Sequence, residues 1–221
     1  MIEYSFQAAV HGIERLYFHQ GIGFKYNLVS LLLLPSPDPT PYLEVFISIP
    51  QIQPVHLDRS PVDNTPASLA PHIQPQYYAA IFINTFIGKS AGSARIAEMP
   101  IGDFNSTIRQ YVSGYAAYEN GAPKRAVFVN LRPYLKGSTT PRGSFDVQVA
   151  VPHSDRHKPK ALRVRRLKIG HADDTEGLTF AGRTYETKDG RPQGEDTYTD
   201  VPYGRPFKIS DTEAVFVTFR Y

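Results

Sequence analysis

Residues Ala161 to Ile169 read ALRVRRLKI. Leu162 and Val164 alternate with Arg163 and Arg165, the period-2 pattern of a strand with one face buried and the other facing solvent. The apolar set changes parity between Val164 and Leu167, which predicts a β-bulge near Arg165 and Arg166. Short runs of the same texture fill the chain after Gly88: Arg95 to Met99, Val112 to Tyr118, Arg125 to Leu131, Ser144 to Val151, Thr197 to Val201 and Ala214 to Arg220. Turn residues separate them at the spacing of a two-sheet sandwich, and Glu119-Asn120-Gly121-Ala122-Pro123 joins two of them as a hairpin loop. The second half of the chain is expected to be antiparallel β.

Upstream the period changes. Ile2, Phe6, Ala9 and Val10 fall at helical spacing before Gly12, predicting one short amphipathic helix. Arg15 to Asn27, RLYFHQGIGFKYN, reads as a buried strand emptying into a glycine-rich loop, after a connection of αβ length. Pro71 and Pro75 introduce a second helix, Gln76 to Ile87, with Tyr78, Ile81, Phe82 and Phe86 on one stripe and Gly88 past its end. Helix, strand, loop, helix is a terminal piece of a βα repeat. Such a unit alone leaves open strand edges and buries little apolar surface, so residues 2–88 are expected to be mobile or aggregation-prone beside a firmer sandwich. Val29 to Gln51, dense in proline and aliphatics, fits neither half and reads as inserted, because a structureless loop of that length is uncommon in a compact domain.

Composition narrows the function classes. Among 221 residues, 24 Lys and Arg stand against 21 Asp and Glu, a net charge of +3, well short of the basic excess of a nucleic-acid binder. With no cysteine, disulfides, thiolate metal sites and cysteine nucleophiles are excluded. The longest apolar run, Leu28 to Leu34, is broken by Ser30 and stopped by Pro35, too short to span a bilayer; no basic region precedes an apolar stretch at the N-terminus, so the chain as written carries no secretion signal and its localisation stays open. His153 and His157 flank Arg156 and Lys158, but two histidines without a third ligand read as solvated loop residues, and no metal is assigned. Arg156, Lys158, Lys160, Arg163, Arg165, Arg166 and Lys168 form a basic cluster that reads either as a solvated strand face or as a polyanion patch. Lys188-Asp189-Gly190-Arg191-Pro192 is a turn, and Asn105-Ser106-Thr107 is an N-glycosylation sequon.

RLYFHQGIGFKYN, IQPVHLDRS, HIQPQYYAAIF, RAVFVNLRPYL, LTFAGRTYETKDGRPQGED and the closing AVFVTF together resemble the C-terminal portion of glycoside hydrolase family 79 β-glucuronidases, relatives of heparanase. The resemblance implies a remnant of a (β/α)8 barrel, its seventh helix, eighth strand and eighth helix in residues 1–91, followed by a C-terminal β-sandwich in residues 92–221. It further implies a parent reaction, retaining hydrolysis of terminal β-linked glucuronic acid, with no cofactor and glucuronic-acid-containing glycans as partners, in a family that is usually secreted; no nucleic acid or membrane partner is expected. Retaining enzymes use two carboxylates about 5 Å apart. The resemblance puts them on the fourth and seventh strands, so no catalytic residue is assigned here and the chain alone is expected to be inactive; the alternative is a non-catalytic carbohydrate- or polyanion-binding module. Joining Leu28 to Ile52 restores family-like sequence, and the intervening segment opens with Val-Ser and closes with Gln, residues that intron ends can encode. Residues 29–51 are therefore expected to be a retained intron, with a genuine lineage-specific loop as the other reading. His19, Gln20, Lys25 and Tyr26 lie at the strand's C-terminal end and in its loop, where barrel enzymes place ligand contacts, and are the candidate substrate-binding residues. The competing reading makes them packing residues satisfied by local hydrogen bonds.

Overall fold

The computed structural model describes residues 1–13, 16, 73, 75–88, 94–101, 110–151, 158–187 and 189–221. These hold two helices, α1 (Ile2–Val10) and α2 (Pro75–Ile87), and nine strands: β1 (Arg95–Glu98), β2 (Val112–Glu119), β3 (Ala122–Asn130), β4 (Ser144–Val147), β5 (Ala161–Lys168), β6 (Thr179–Phe180), β7 (Thr199–Pro202), β8 (Phe207–Ser210) and β9 (Glu213–Arg220). All pairing is antiparallel, so the chain is mainly β, as the alternation predicts. Seven strands form one sheet in the order β1-β2-β3-β9-β5-β6, with β7 also on β5, while β4 and β8 form a separate two-stranded sheet. The strand run expected from Arg15 and the segment 29–51 lie outside the described residues, Leu16 apart.

Two copies of one tetrapeptide form the middle of the large sheet. Ala126-Val127-Phe128-Val129 on β3 runs antiparallel to Ala214-Val215-Phe216-Val217 on β9, placing Ala126 opposite Val217, Val127 opposite Phe216, Phe128 opposite Val215 and Val129 opposite Ala214. Small residues thus face larger ones across the ladder, which lets the layers interdigitate without voids. Both faces of these strands are buried. Val127, Val129, Ala214 and Phe216 join one core cluster, while Ala126, Phe128, Val215 and Val217 join the other. On β2, Gly114 sits opposite Phe128, where an added Cβ would lie 3.0 Å from the Phe128 ring; glycine admits the aromatic. Asn120 (φ 52°) and Gly121 (φ 76°) make the two-residue β2–β3 turn, the positive-φ geometry that matches strand twist.

The helices cover one face. Phe6 of α1 wedges between Phe86 of α2 and Tyr115 of β2, with ring centroids 4.6 and 5.3 Å away, and Phe82 meets Phe180 and Phe216 at 5.3 and 6.0 Å. Tyr78 is fully buried and its hydroxyl accepts the Tyr185 N–H at 2.7 Å. Arg125 reaches from Glu119 to the last carbonyl of α2, Ile87 O, at 3.2 Å, a cation where the helix dipole favours one. The expectation that the first half buries little apolar surface therefore fails for α1 and α2: a sheet apolar on both faces needs a second cover, and these helices supply it. β4 and β8 cover the other face through Phe207 and Ile209, with Phe128 and Phe207 centroids 6.0 Å apart. The partner layer of the sandwich is thus a two-stranded ribbon.

The predicted bulge in β5 is absent. Its register to β9 runs unbroken from Ala161↔Arg220 to Lys168↔Glu213, and the irregularity in the sheet falls instead at Ala117/Tyr118. The parity change has another cause. Leu162 and Val164 pack toward the β4–β8 ribbon, whereas Leu167 packs into the helix-side core; one straight strand is buried on opposite faces at its two ends, because the helices cover only part of the sheet. Its outer edge is divided likewise, β7 pairing Ala161 to Val164 and β6 pairing Leu167 and Lys168.

One guanidinium ties the sheet ends together. Arg142 donates Nε and Nη2 to Asp211 O (2.8 and 2.6 Å), Nη2 to Thr212 O (3.2 Å), and Nη1 to Ile169 O and Gly170 O (2.9 and 3.2 Å). It thereby joins the β8–β9 turn to the end of β5. The Asp211 side chain, 4% exposed, accepts Asn130 Nδ2 and the Gly143 N–H, both at 3.1 Å. Arg142→Met should strand these carbonyls and lower stability by about 2–3 kcal/mol, read as a fall in urea midpoint. Arg191→Met, at an exposed ion pair, should stay within about 0.5 kcal/mol of the parent; equal effects would show that the turn does not depend on Arg142.

Candidate functional site

The first turns of α1 and α2 and the adjoining ends of β3, β5 and β9 line an open cleft of about 820 Å³. Its walls are largely apolar, with Ile2, Ala79, Val129, Leu131, Leu167 and Ala214 among them. The polar groups from the strand ends are used internally. Asn130 Nδ2 donates to Ser210 O at 2.9 Å and its Oδ1 accepts the Arg132 N–H at 3.0 Å. Thr212 Oγ1 accepts the Tyr134 N–H at 2.8 Å and donates to Arg132 O at 3.1 Å. Glu213, 5% exposed, accepts Arg166 Nη1 on Oε1 at 2.9 Å and the Ser210 N–H on Oε2 at 2.7 Å. The helices contribute Glu3 Oε2 and Gln76 Oε1, both buried and without a hydrogen-bond partner.

Two glutamates, Glu3 and Glu213, therefore line one cleft. A retaining mechanism needs one carboxylate free to attack and another able to give and take a proton. Glu213 uses each of its oxygens in a structural bond, one to Arg166 and one to the Ser210 N–H.

Two loops meet at the mouth. Tyr134 stacks on His171 with centroids 5.1 Å apart, the Ala172 N–H donates to Tyr134 O at 2.7 Å, and Asp174 bridges Lys136 Nζ (3.0 Å) and the His171 N–H (2.6 Å). The Lys136 hydrogen bond holds the Asp174 carboxyl below the usual carboxylate range, and Asp174 in turn raises the Lys136 ammonium. Both loops are pinned by these contacts.

The basic strand proves largely neutralised. Arg163 makes a bidentate pair with Asp200, both bonds 2.9 Å, and Arg165 one with Asp196 at 3.0 and 2.8 Å; Tyr198 lies against Arg163, 3.7 Å from its guanidinium carbon. With Arg166 on Glu213, three of the cluster's cations already face carboxylates, which removes much of the physical basis for a polyanion patch. Sequence reasoning missed these acids, yet Asp200 stands directly opposite Arg163 in the β5–β7 register. Pairing the Thr197 to Val201 run against β5 would have found it.

The sequence candidates His19, Gln20, Lys25 and Tyr26 lie outside the described residues, as do His153, His157 and Asn105. Among the described residues no group of three or more His, Asp or Glu is placed to hold a metal ion, and no helix is long and apolar enough to cross a membrane. The Lys188–Pro192 turn is anchored by Asp189, whose Oδ1 accepts the Arg191 N–H at 3.1 Å, and Tyr77 donates to Gly190 O at 3.1 Å, docking the turn on α2.

Residues 114–216, just under half the chain, match the family model described as the glycosyl hydrolase family 79 C-terminal beta domain. The fold is similar to a solved 4-O-α-L-rhamnosyl-β-D-glucuronidase from Fusarium oxysporum 12S in complex with Rha-GlcA: TM-score 0.51, 22% identity, covering 67% of this chain and 30% of that one. The chain thus spans under a third of that relative's length. No curated protein matches the chain.

The arginine pairs carry a pH signature. The Arg165 hydrogen bonds hold the Asp196 carboxyl below its ordinary value, and Arg163 does the same for Asp200. A carboxyl depressed in the folded state contributes stability above its unfolded pKa, about 3.9, and loses it as pH falls through the folded value. Asp196→Asn should therefore lower the thermal midpoint at pH 6 and approach the parent as pH falls through the depressed folded pKa of Asp196. A difference unchanged across that range would show that the pair's charge does not stabilise the fold.

Proposed function

We propose, from the family 79 C-terminal beta domain at residues 114–216, that this chain is the C-terminal portion of a β-glucuronidase-like glycoside hydrolase. Its parent reaction is retaining hydrolysis of a terminal β-linked glucuronic acid in a glycan. The family match carries this reading, and the activity named for the Fusarium relative agrees with it. In this reading residues 1–91 are the last βα unit of a (β/α)8 barrel, and residues 92–221 are the appended β domain.

In this reading the β domain has a mechanical role. Barrel helices start at the face where the strands end, which is where such enzymes place their active sites. The sheet grips α1 and α2 through Phe6, Tyr78, Phe82 and Phe86, and in this reading it holds two barrel helices in place. In this reading His19, Gln20, Lys25 and Tyr26, at the C-terminal end of the eighth strand and in its loop, form the substrate wall, Lys25 and Tyr26 as donors to the uronate carboxylate. No catalytic carboxylate is assigned to this chain; the acid/base and nucleophile come from other barrel strands.

Two measurements test this. The isolated 221-residue chain should not release p-nitrophenol from p-nitrophenyl β-D-glucuronide above the buffer rate; turnover abolished by Glu213→Gln would refute its incompetence. Joined to the preceding barrel of a family 79 enzyme, it should restore glucuronide turnover, and Lys25→Met should then reduce kcat/KM about tenfold, the worth of one charge-assisted hydrogen bond of about 1.5 kcal/mol. An unaltered kcat/KM would remove Lys25 from the substrate wall.

A further inference from the structure

The turn between β2 and β3 holds an amide and a nucleophile that nothing ties down. Its two residues are Asn120 (φ 52°) and Gly121 (φ 76°), both exposed. Among the described residues no hydrogen bond holds the Asn120 side-chain amide or the Gly121 N–H. A Cβ added at Gly121 would meet nothing within 4 Å, so no neighbouring atom hinders the Gly121 nitrogen as it nears the Asn120 amide carbon. Glycine also puts no side chain of its own beside that nitrogen.

The comparable positions are committed. Asn84 is exposed but precedes Thr85 inside α2, where the next N–H belongs to the helix ladder and its residue is β-branched. Asn130 is 2% exposed, its side chain is engaged by Ser210, Asp211 and Arg132, and the Leu131 N–H donates to Tyr111 O at 2.7 Å. In the turn Asp189-Gly190 the carboxylate accepts the Arg191 N–H at 3.1 Å and pairs with Arg191 Nε at 3.3 Å, while the Gly190 N–H donates to Thr187 O at 3.3 Å. Of these four positions Asn120 alone leaves both electrophile and nucleophile uncommitted.

We propose that Asn120 is a site of spontaneous deamidation through a cyclic succinimide. The Gly121 nitrogen gives its proton to a solvent base and attacks Asn120 Cγ; the side-chain nitrogen leaves as ammonia, closing a five-membered imide. Water then opens the ring. Addition at Cγ gives aspartate with the main chain unchanged, and addition at the Asn120 carbonyl carbon gives isoaspartate, the chain now running through Cβ and Cγ. One water is consumed and one ammonia released. Either product sets a new carboxylate beside Glu119, which already pairs with Arg125. Isoaspartate also adds a main-chain atom to a two-residue loop, and loop length sets the Glu119↔Ala122 pairing. Arg125 links that hairpin end to Ile87 O at the close of α2, so the isoaspartyl form loosens both.

The test ages the full chain at mildly alkaline pH in heavy-oxygen water and follows it by peptide mapping, with electron-transfer fragmentation to separate isoaspartate from aspartate. Asn120 should exchange its amide nitrogen for one heavy oxygen at least about tenfold faster than Asn84, Asn130 or Asp189 reacts, because their groups are held out of attack geometry. Isoaspartate should be the larger product. In the aged parent the Ala122 and Gly88 amides should exchange hydrogen faster; in Asn120→Gly, which keeps a Gly-Gly turn of the same type, ageing should leave them unchanged. Conversion at Asn120 no faster than at Asn84 would overturn the site. Aspartate without isoaspartate would overturn the succinimide route, and unaltered Ala122 exchange in the isoaspartyl form would overturn the loosening.

Discussion

The central sheet is apolar on both faces, and the rest of the fold answers that constraint. β2, β3 and β9 each carry a run of five or six consecutive buried residues. A sheet of this kind is stable only between two covers. On one side the β4–β8 ribbon lays down Phe207 and Ile209; on the other α1 and α2 bring Phe6, Tyr78, Phe82 and Phe86, all essentially inaccessible to water. Truncating any one of these aromatics costs about 3–5 kcal/mol, a large share of the stability of a domain this size. The helices are thus a structural half of the sheet.

Much of this was legible in the sequence, with errors that share a cause. Short strand-like runs between turn residues located β2, β3, β5 and β9, and helical spacing before Gly12 and Gly88 located α1 and α2. Period reports how one element is buried; it does not say which layer buries it. ALRVRRLKI therefore suggested a bulge, when a straight β5 simply exchanges one covering layer for another along its length. The buried middles of β3 and β9 show little alternation at all, because AVFV is apolar on both sides. β6 was missed because a two-residue run offers no period to read, and β8 was missed although it is as long as β1, β4 and β7. The cleft was invisible for a related reason: Glu3 and Gln76 lie seventy-three positions apart in the sequence, and only the packing of both helices on one sheet brings them into a common cavity.

The charged groups divide by the same geometry. Where the helices stop covering β5, Arg163 and Arg165 emerge and are met by acids from β7 and its approach, so a face readable from sequence as a solvated strand face or a polyanion patch is a ladder of ion pairs. At the opposite end Arg142 and Asn130 supply donors to the inward-pointing carbonyls of the β8–β9 turn, and Arg166 satisfies Glu213. These polar contacts leave the strand ends chemically closed. In the β-glucuronidase-like reading such a domain holds barrel helices in place while the chemistry is done by residues on other strands.

Native-state hydrogen exchange tests the coupling of helices to sheet most directly. The amides of Phe82 and Phe86 in α2 should open with the same free energy as those of Val127 and Val215 in β3 and β9, within about 1 kcal/mol, as one cooperative unit. Exchange of α2 several orders of magnitude faster than the strands would contradict it, leaving a sheet that folds with one face uncovered.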